Sequence, residues 1–234
     1  EDTYWENYGL NEYRLDYYRS RMDFTRNFWK FICYVTKRKK GSLLDVGCGS
    51  GLFLKVAKQS GWQVCGMEIS PALCEFAKDF SGCNNIVNDL NLLDCSYDIV
   101  LMTDVFRFLS DPLGTLKEMT RLCKPGGCIV IREVNICNKR VLHREAKTDM
   151  QLLSSKTALN FMSKVGIKNV KIIPSPMSLN TIKSFNRLGT GTRNVLTKLF
   201  NTSVELIYFM SLKKWLAIVP EMLIIGFVED QRKS

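Results

Sequence analysis

Along the chain, apolar positions switch between the two-residue period of strands and the three-to-four-residue period of helices, and each switch marks an element. Ser42 to Val46 is an apolar, strand-like run that stops at a glycine cluster, and Leu52 to Lys58 is apolar at helical spacing, so this stretch opens a strand–turn–helix unit. The alternation then repeats: Gln63 to Met67 as strand, Ala72 to Phe80 as helix, Asn85 to Val87 as a short strand and Tyr97 to Met102 as strand. Leu113 to Leu122 follows as helix, and Cys128 to Arg132 as strand after the turn Lys124-Pro-Gly-Gly. Strands alternating with helices of this length predict an α/β fold, a doubly wound Rossmann-like sheet that is mostly parallel and covered on both faces.

The flanks are less regular. Residues 4–36 are rich in Tyr, Trp, Phe and Arg, with Tyr13, Tyr17, Phe24 and Phe28 at helix-like spacings, and they predict an N-terminal helical cap over 1–40 that ends in the basic run Lys37 to Lys40. Six aromatics in its first 18 residues (Tyr4, Trp5, Tyr8, Tyr13, Tyr17, Tyr18) suit either a lid over a crevice or packing against the sheet. Beyond Asn135 the pattern gives a helix at Ser155 to Val165, a strand at Val170 to Ile173, and a last strand, expected antiparallel, at Met222 to Val228. Residues 41–177 and 221–234 therefore read as one α/β domain. Residues 178–220 form an insertion, basic and apolar by turns, in which Leu196, Leu199, Phe200, Ile207 and Met210 follow a helical stripe.

Composition narrows the class: 234 residues, 46% apolar and 24% charged, exclude disorder, collagen and coiled coil. The net charge of +10 is uneven, with +3 in residues 1–40, −3 in 41–135 and +10 in 136–234. Nine cysteines, an odd number with no Cys-x-x-Cys spacing, fit neither a disulfide framework nor a zinc site, and read as reduced core thiols of a cytoplasmic protein. The first residues lack the pattern of a signal peptide, and Glu1 in place of methionine suggests a natural start that is not visible in this sequence. Val204 to Val228, the longest apolar stretch, is broken by Glu205, Lys213, Lys214, Pro220 and Glu221 and does not read as a spanning helix.

The chemistry concentrates in Leu43-Leu-Asp-Val-Gly-Cys-Gly-Ser-Gly51, where Asp45 ends the first strand and three glycines alternate through the turn. Glycine permits a tight turn with backbone lying directly against a ligand. Glu68 ends the second strand, with a carboxylate suited to both hydroxyls of a ribose. The dinucleotide fingerprint would put its third glycine at Leu52, and Asp45 would repel a pyrophosphate, so a cationic nucleoside suits the loop better than NAD.

These residues, with Tyr97-Asp98-Ile-Val-Leu-Met, Ser110-Asp111-Pro112 and Lys124-Pro-Gly-Gly, resemble the class I S-adenosylmethionine-dependent methyltransferases, especially the branch acting on small molecules, quinone precursors and glycan or lipid intermediates. The resemblance covers residues 41–135 well and 150–173 loosely. It implies S-adenosyl-L-methionine as cofactor and S-adenosyl-L-homocysteine as product. It also implies a cradle of Asp45, Gly47, Cys48, Gly49 and Gly51, with Glu68 on the ribose, Ile69 on the adenine face, and Asp89 with the Leu90 amide at the adenine edge. Thr103 and Asp104 follow the fourth strand, where this fold exposes its crevice.

The likeness breaks just beyond. The family often writes Asp-Val-Leu-Glu-His-Leu where this chain has Asp104-Val-Phe-Arg-Phe-Leu109, so the Glu-His pair is Arg107-Phe108. A second family histidine is replaced near Asp149, and the single histidine, His143, lies in a basic segment. Asp104 and His143 are the remaining candidates for a base, and none is assigned. Asp104, Glu133 and Asn135 would offer oxygen ligands to Mg²⁺ in a metal-assisted variant, although no metal is part of the main reading. The sequence thus predicts methyl transfer to oxygen, less readily nitrogen, of a small or lipid-linked acceptor. Its rivals are a non-catalytic cofactor-binding regulator or partner subunit and, opposed by the local motifs, an RNA methyltransferase. The basic, apolar insertion suits either a substrate cap or peripheral contact with an anionic membrane on its inner face. Oligomeric state is left open.

Overall fold

The computed structural model describes residues 12–137, 153–175 and 221–230, with side chains from residue 21 onward. Helix α1 (Glu12–Val35) leads into β1 (Ser42–Val46), α2 (Leu52–Gln59), β2 (Gln63–Met67), α3 (Pro71–Ser81) and β3 (Ile86–Val87). Then come β4 (Tyr97–Thr103), α4 (Pro112–Arg121), β5 (Cys123–Val134), α5 (Ser155–Lys164), β6 (Asn169–Pro174) and β7 (Glu221–Phe227). Seven strands form one sheet in the order β3-β2-β1-β4-β5-β7-β6. β7 runs antiparallel to both β5 and β6, and the remaining pairs are parallel.

Alternate side chains of the same strands feed two cores. Leu43, Ile99, Leu101, Val130 and Ile225 pack with Phe28, Trp29 and Ile32 of α1 and Val56 of α2. Leu44, Val100, Met102, Ile129 and Ile224 pack with Leu116 and Met119 of α4 and Met162 of α5. A sheet covered on both faces needs strands apolar at every position, which is why β1 is buried along its whole length.

Helix starts follow local capping chemistry. Ser70 accepts from the Leu73 N–H ahead of Pro71, Asp111 accepts from the Gly114 N–H ahead of Pro112, and Ser154 forms a reciprocal capping box with Thr157. β5 begins earlier than the sequence pattern indicates. Cys123 pairs with Tyr97, and after a register shift Cys128 pairs with Ile99, so the Lys124-Pro-Gly-Gly turn is a bulge inside the strand. Two short 3₁₀ turns, Leu90–Leu92 and Phe106–Phe108, have no periodic signature. The expectation that all cysteines are core thiols needs correction, because Cys95 and Cys137 are exposed. Among the described residues, no helix is long and apolar enough to cross a membrane. The 178–220 insertion, His143 and Asp149 lie outside the described residues, as do Tyr4, Trp5 and Tyr8.

At the amino ends of the strands one carboxylate gathers three elements. Asp98 Oδ2 accepts from the Ser42 N–H and Oγ–H, both at 2.9 Å, and from Lys124 Nζ at 2.8 Å, while Oδ1 receives Arg38 Nη1 at 3.4 Å. Burial opposes ionisation, but the Lys124 and Ser42 hydrogen bonds outweigh it and hold the Asp98 carboxyl below the usual range. A lowered folded-state pKa contributes stability that is present above the unfolded value near ~4 and lost as pH falls through the folded one. Asp98→Asn should therefore cost about 2 kcal/mol at neutral pH and flatten the acid limb of the stability curve, as read by urea unfolding at several pH values. An unchanged limb would show that this carboxylate does not govern acid stability.

Candidate active site

The strand order reverses direction between β1 and β4, which leaves a crevice at their carboxyl ends. A cavity of about 650 Å³ opens there. Gly47 and Gly49 from the β1 turn, Glu68 and Ile69 beyond β2, Asp89 and Leu90 beyond β3, and Thr103 and Asp104 at the end of β4 all line it. Three residues expected beside them lie elsewhere. Asp45 sits behind the turn within β1, and Gly51 backs onto Ala77 and Ser81 of α3. Cys48 turns its thiol into a small core with Leu54, Ala77, Cys83 and Ile86, so of this residue only the backbone N–H, donating to the Met67 carbonyl at 2.9 Å, serves the turn.

Two glycines of the turn do different work. Gly47 (φ 71°) lies where a Cβ would stand 2.5 Å from Val105 Cγ2, so its bareness lets the β4 loop close on the turn. Gly49 (φ 53°) has no protein atom within 4 Å of a Cβ position, so its bareness leaves open space at the cavity wall. Glu68 fixes this geometry: Oε2 accepts from the Gly49 N–H at 2.9 Å and Oε1 from the Ser70 N–H at 3.0 Å. A carboxylate has about four lone-pair sites, so these two bonds leave room for further donors.

Asp45 is 2% exposed, and its Oδ1 has no hydrogen-bond partner among the described residues. Burial, and secondarily the charge of Glu68, pushes its carboxyl from 3.8 up to about 7. A buried carboxylate oxygen left without a donor is costly, and a nearby cation relieves that cost. Ile69 is 66% exposed at the cavity, a bare apolar surface beside the polar Glu68. Asp89 caps the Leu90–Leu92 turn, its Oδ1 accepting from the backbone and side-chain N–H groups of Asn91 at 2.9 Å each.

The far wall is ionic. Asp104 adopts a left-handed conformation (φ 59°), and its carboxylate meets the Arg132 guanidinium and, at 3.4 Å, that of Arg107. Arg132, 5% exposed, also holds the Glu221 carboxylate and donates from Nε to Ser175 Oγ at 3.1 Å. Arg107 Nη2 lies 2.8 Å from the fully buried Glu133, whose carboxyl is driven up to about 7 by burial against the pull of Arg107. These arginines overturn the Mg²⁺ reading of Asp104, Glu133 and Asn135: two guanidiniums already stand against the carboxylates, and Asn135 Oδ1 accepts from the Cys137 N–H. Sequence reasoning missed Arg132, Ser175 and Glu221. A charge inside the apolar run Cys128 to Val134 was the available signal, since arginine is almost never buried unpaired.

The family described as a methyltransferase domain matches residues 13–170. The chain belongs to this methyltransferase domain family. The demethylmenaquinone methyltransferase of Tropheryma whipplei (strain Twist) is 33% identical over 99 residues, covering 39% of this chain and 41% of that protein. The ubiquinone biosynthesis O-methyltransferase of Cereibacter sphaeroides is 30% identical over 136 residues, covering 54% and 53%. The match thus spans about half the length of these curated relatives or less. A SAM-dependent methyltransferase from Archaeoglobus fulgidus superimposes with a TM-score of 0.58 at 21% identity, covering 93% of this chain and all of that one, and so shares the methyltransferase fold.

The two glycines of this methyltransferase domain should respond differently to the same substitution. An L-residue in the left-handed region costs about 1–2 kcal/mol, and overpacking adds about 1–3 more. Gly47→Ala should therefore lower Tm by roughly 4–20 °C, and Gly49→Ala by roughly 2–8 °C and by less than Gly47→Ala, on a thermal melt. Equal losses would contradict the assignment of open space at Gly49.

Proposed function

We propose that the chain binds S-adenosyl-L-methionine in the strand-tip cavity and transfers its methyl group to an oxygen of a small or lipid-linked acceptor, releasing S-adenosyl-L-homocysteine. The observation that carries this reading is the pairing of an open Gly49 wall with the donor-less Asp45 oxygen behind it, a combination suited to a cationic ligand pressed against backbone. In this assignment the Gly47–Gly49 backbone lies along the methionine portion, and Glu68 accepts from the ribose hydroxyls. Ile69 covers the adenine face, with Asp89 and Leu90 at its edge. Asp45 balances positive charge through the turn.

The bound cofactor supplies a methyl group already activated on a sulfonium centre. The protein's part is to hold donor and acceptor in line and to keep water out, through the apolar rim of Ile69, Phe108 and Leu109. Asp104, with Arg132 against one carboxylate oxygen and Arg107 against the other, is assigned as a positioning residue. Oxygen as the acceptor atom is supported by the O-methyltransferase name of the Cereibacter relative, and a lipid-linked acceptor by the quinone names. Ser175 and Glu221 lie beside Asp104 at the carboxyl rim of the sheet, which supports residues 178–220 as a cap over the acceptor side.

Thermal unfolding tests the cofactor. Ligand at 100 times its Kd adds about 2.7 kcal/mol, so S-adenosyl-L-methionine and S-adenosyl-L-homocysteine should each raise Tm by roughly 5–10 °C, with NAD as a silent control. No rise with either overturns the reading. Arg107 and Phe108, where the family resemblance implies Glu-His, favour one rival, a non-catalytic binder. That rival gains if both ligands stabilise the protein and labelled methyl groups reach no acceptor in a cell extract.

Asp45 adds a pH signature. In the free protein its proton stays on up to about pH 7, which favours folding at low pH, and this contribution declines as pH rises from ~4 to 7. Cofactor binding needs the ionised form, so affinity should rise more than about fivefold between pH 5.5 and 7.5 and then level off. Asp45→Asn should bind weakly with a flat profile, as calorimetry would show.

A further inference from the structure

A second hollow, of about 950 Å³, lies away from the strand tips, between the C-terminal half of α1 and the edge of the sheet formed by β6 and β7. Its apolar surface is presented by Tyr34 and Val35 of α1 and Ile173 of β6, over a buried floor of Trp29, Trp62 and Ile225, each no more than 4% exposed. Trp29 and Trp62 meet edge to face with centroids 5.0 Å apart, so this floor is fixed. This volume is at the upper end of small-molecule sites, about 300–1,000 Å³.

Around the apolar part stand Lys30, Lys37, Arg38, Lys39 and Lys171, and no carboxylate appears among the described lining residues. Arg38 is committed to Asp98 and the Gly126 carbonyl. Lys30, Lys37 and Lys39 face no acidic partner among the described residues. Tyr34, 74% exposed, follows Lys30 by one helical turn, and Lys40 extends the basic surface past the hollow.

The charge selects the occupant. Residues 178–220 carry six basic residues and one acidic one, so the cationic ring repels the chain's own insertion. An apolar trough ringed by uncompensated ammonium groups complements an amphiphile with a hydrocarbon tail and an anionic head. An exposed aromatic at the mouth of the trough, flanked by lysines, extends the contact from one molecule to a surface.

We propose that this hollow seats an anionic phospholipid of a bilayer surface, its acyl chain against Tyr34, Val35 and Ile173 above the buried Trp29–Trp62 pair, and its headgroup on Lys30, Lys37 and Lys39. The seat shares no lining residue with the strand-tip cavity, so the proposal does not depend on what that cavity binds.

Co-sedimentation of the full chain with vesicles of phosphatidylcholine, with and without anionic phospholipid, tests the proposal. Binding should need the anionic lipid, and the triple substitution Lys30→Glu, Lys37→Glu, Lys39→Glu should weaken it at least about tenfold. Melting and circular dichroism check that this variant is folded, and the milder Lys→Gln triple should give an intermediate loss. Brominated acyl chains in the anionic vesicles should quench tryptophan emission, and the quenching should persist in Trp215→Phe, which removes the insertion's tryptophan. Equal binding to neutral vesicles, full binding by the glutamate triple, or quenching abolished by Trp215→Phe would each overturn the proposal. Binding of monomeric long-chain fatty acid without vesicle binding, or lysine-dependent retention on RNA instead of lipid, would overturn it as well.

Discussion

A sheet buried on both faces leaves polar side chains only its two rims, and that constraint arranges everything else in this protein. At the amino rim, Asp98 collects Ser42, Lys124 and Arg38 into a paired cluster that closes the bottom of the sheet. At the carboxyl rim the pairing is incomplete. Arg132 and Arg107 satisfy Asp104, Glu133 and Glu221, but Asp45 is left with a bare oxygen one residue from the end of β1. The same physical rule thus yields a structural end, where both oxygens of the Asp98 carboxylate are paired, and a chemical end, where one oxygen of the Asp45 carboxylate has no donor among the described residues.

Much of this was legible in the sequence because the doubly wound architecture writes itself in runs. β1 and β2 fall at Ser42–Val46 and Gln63–Met67, as the apolar pattern predicts, and Ser70-Pro71 and Asp111-Pro112 mark helix starts by a capping mechanism that needs no tertiary context. The glycine turn and Glu68 were legible because backbone approach and a strand-tip carboxylate are local requirements. Asp89, Leu90 and Thr103 came from resemblance, and the fold brings them to the same cavity as Gly49.

What remained hidden depends on which way a side chain points or on partners distant in the chain. Cys48 looks like part of the cradle, yet the left-handed glycines on either side rotate its thiol into the small core beside α3. Glu133 and Asp104 look like metal ligands until Arg107 and Arg132 are placed against them, and Glu221 reaches Arg132 across 89 positions of chain. The second hollow was also invisible, since its walls come from α1, the start of β2 and the last two strands, whose proximity no local pattern records.

Arg132 ties Ser175 and Glu221 to the tip of β4, and the Ser175 N–H donates to the Glu221 carbonyl at 3.1 Å, so the long segment between them leaves and re-enters the sheet at neighbouring points. A loop closed at its base in this way can lengthen at a cost that grows only with the logarithm of its length, about 0.6 kcal/mol per doubling, while β6 and β7 keep their register. The two ends of that segment share one fixed socket. Changes in its length or sequence can therefore accumulate between them while the glycine turn and its carboxylates stay as they are.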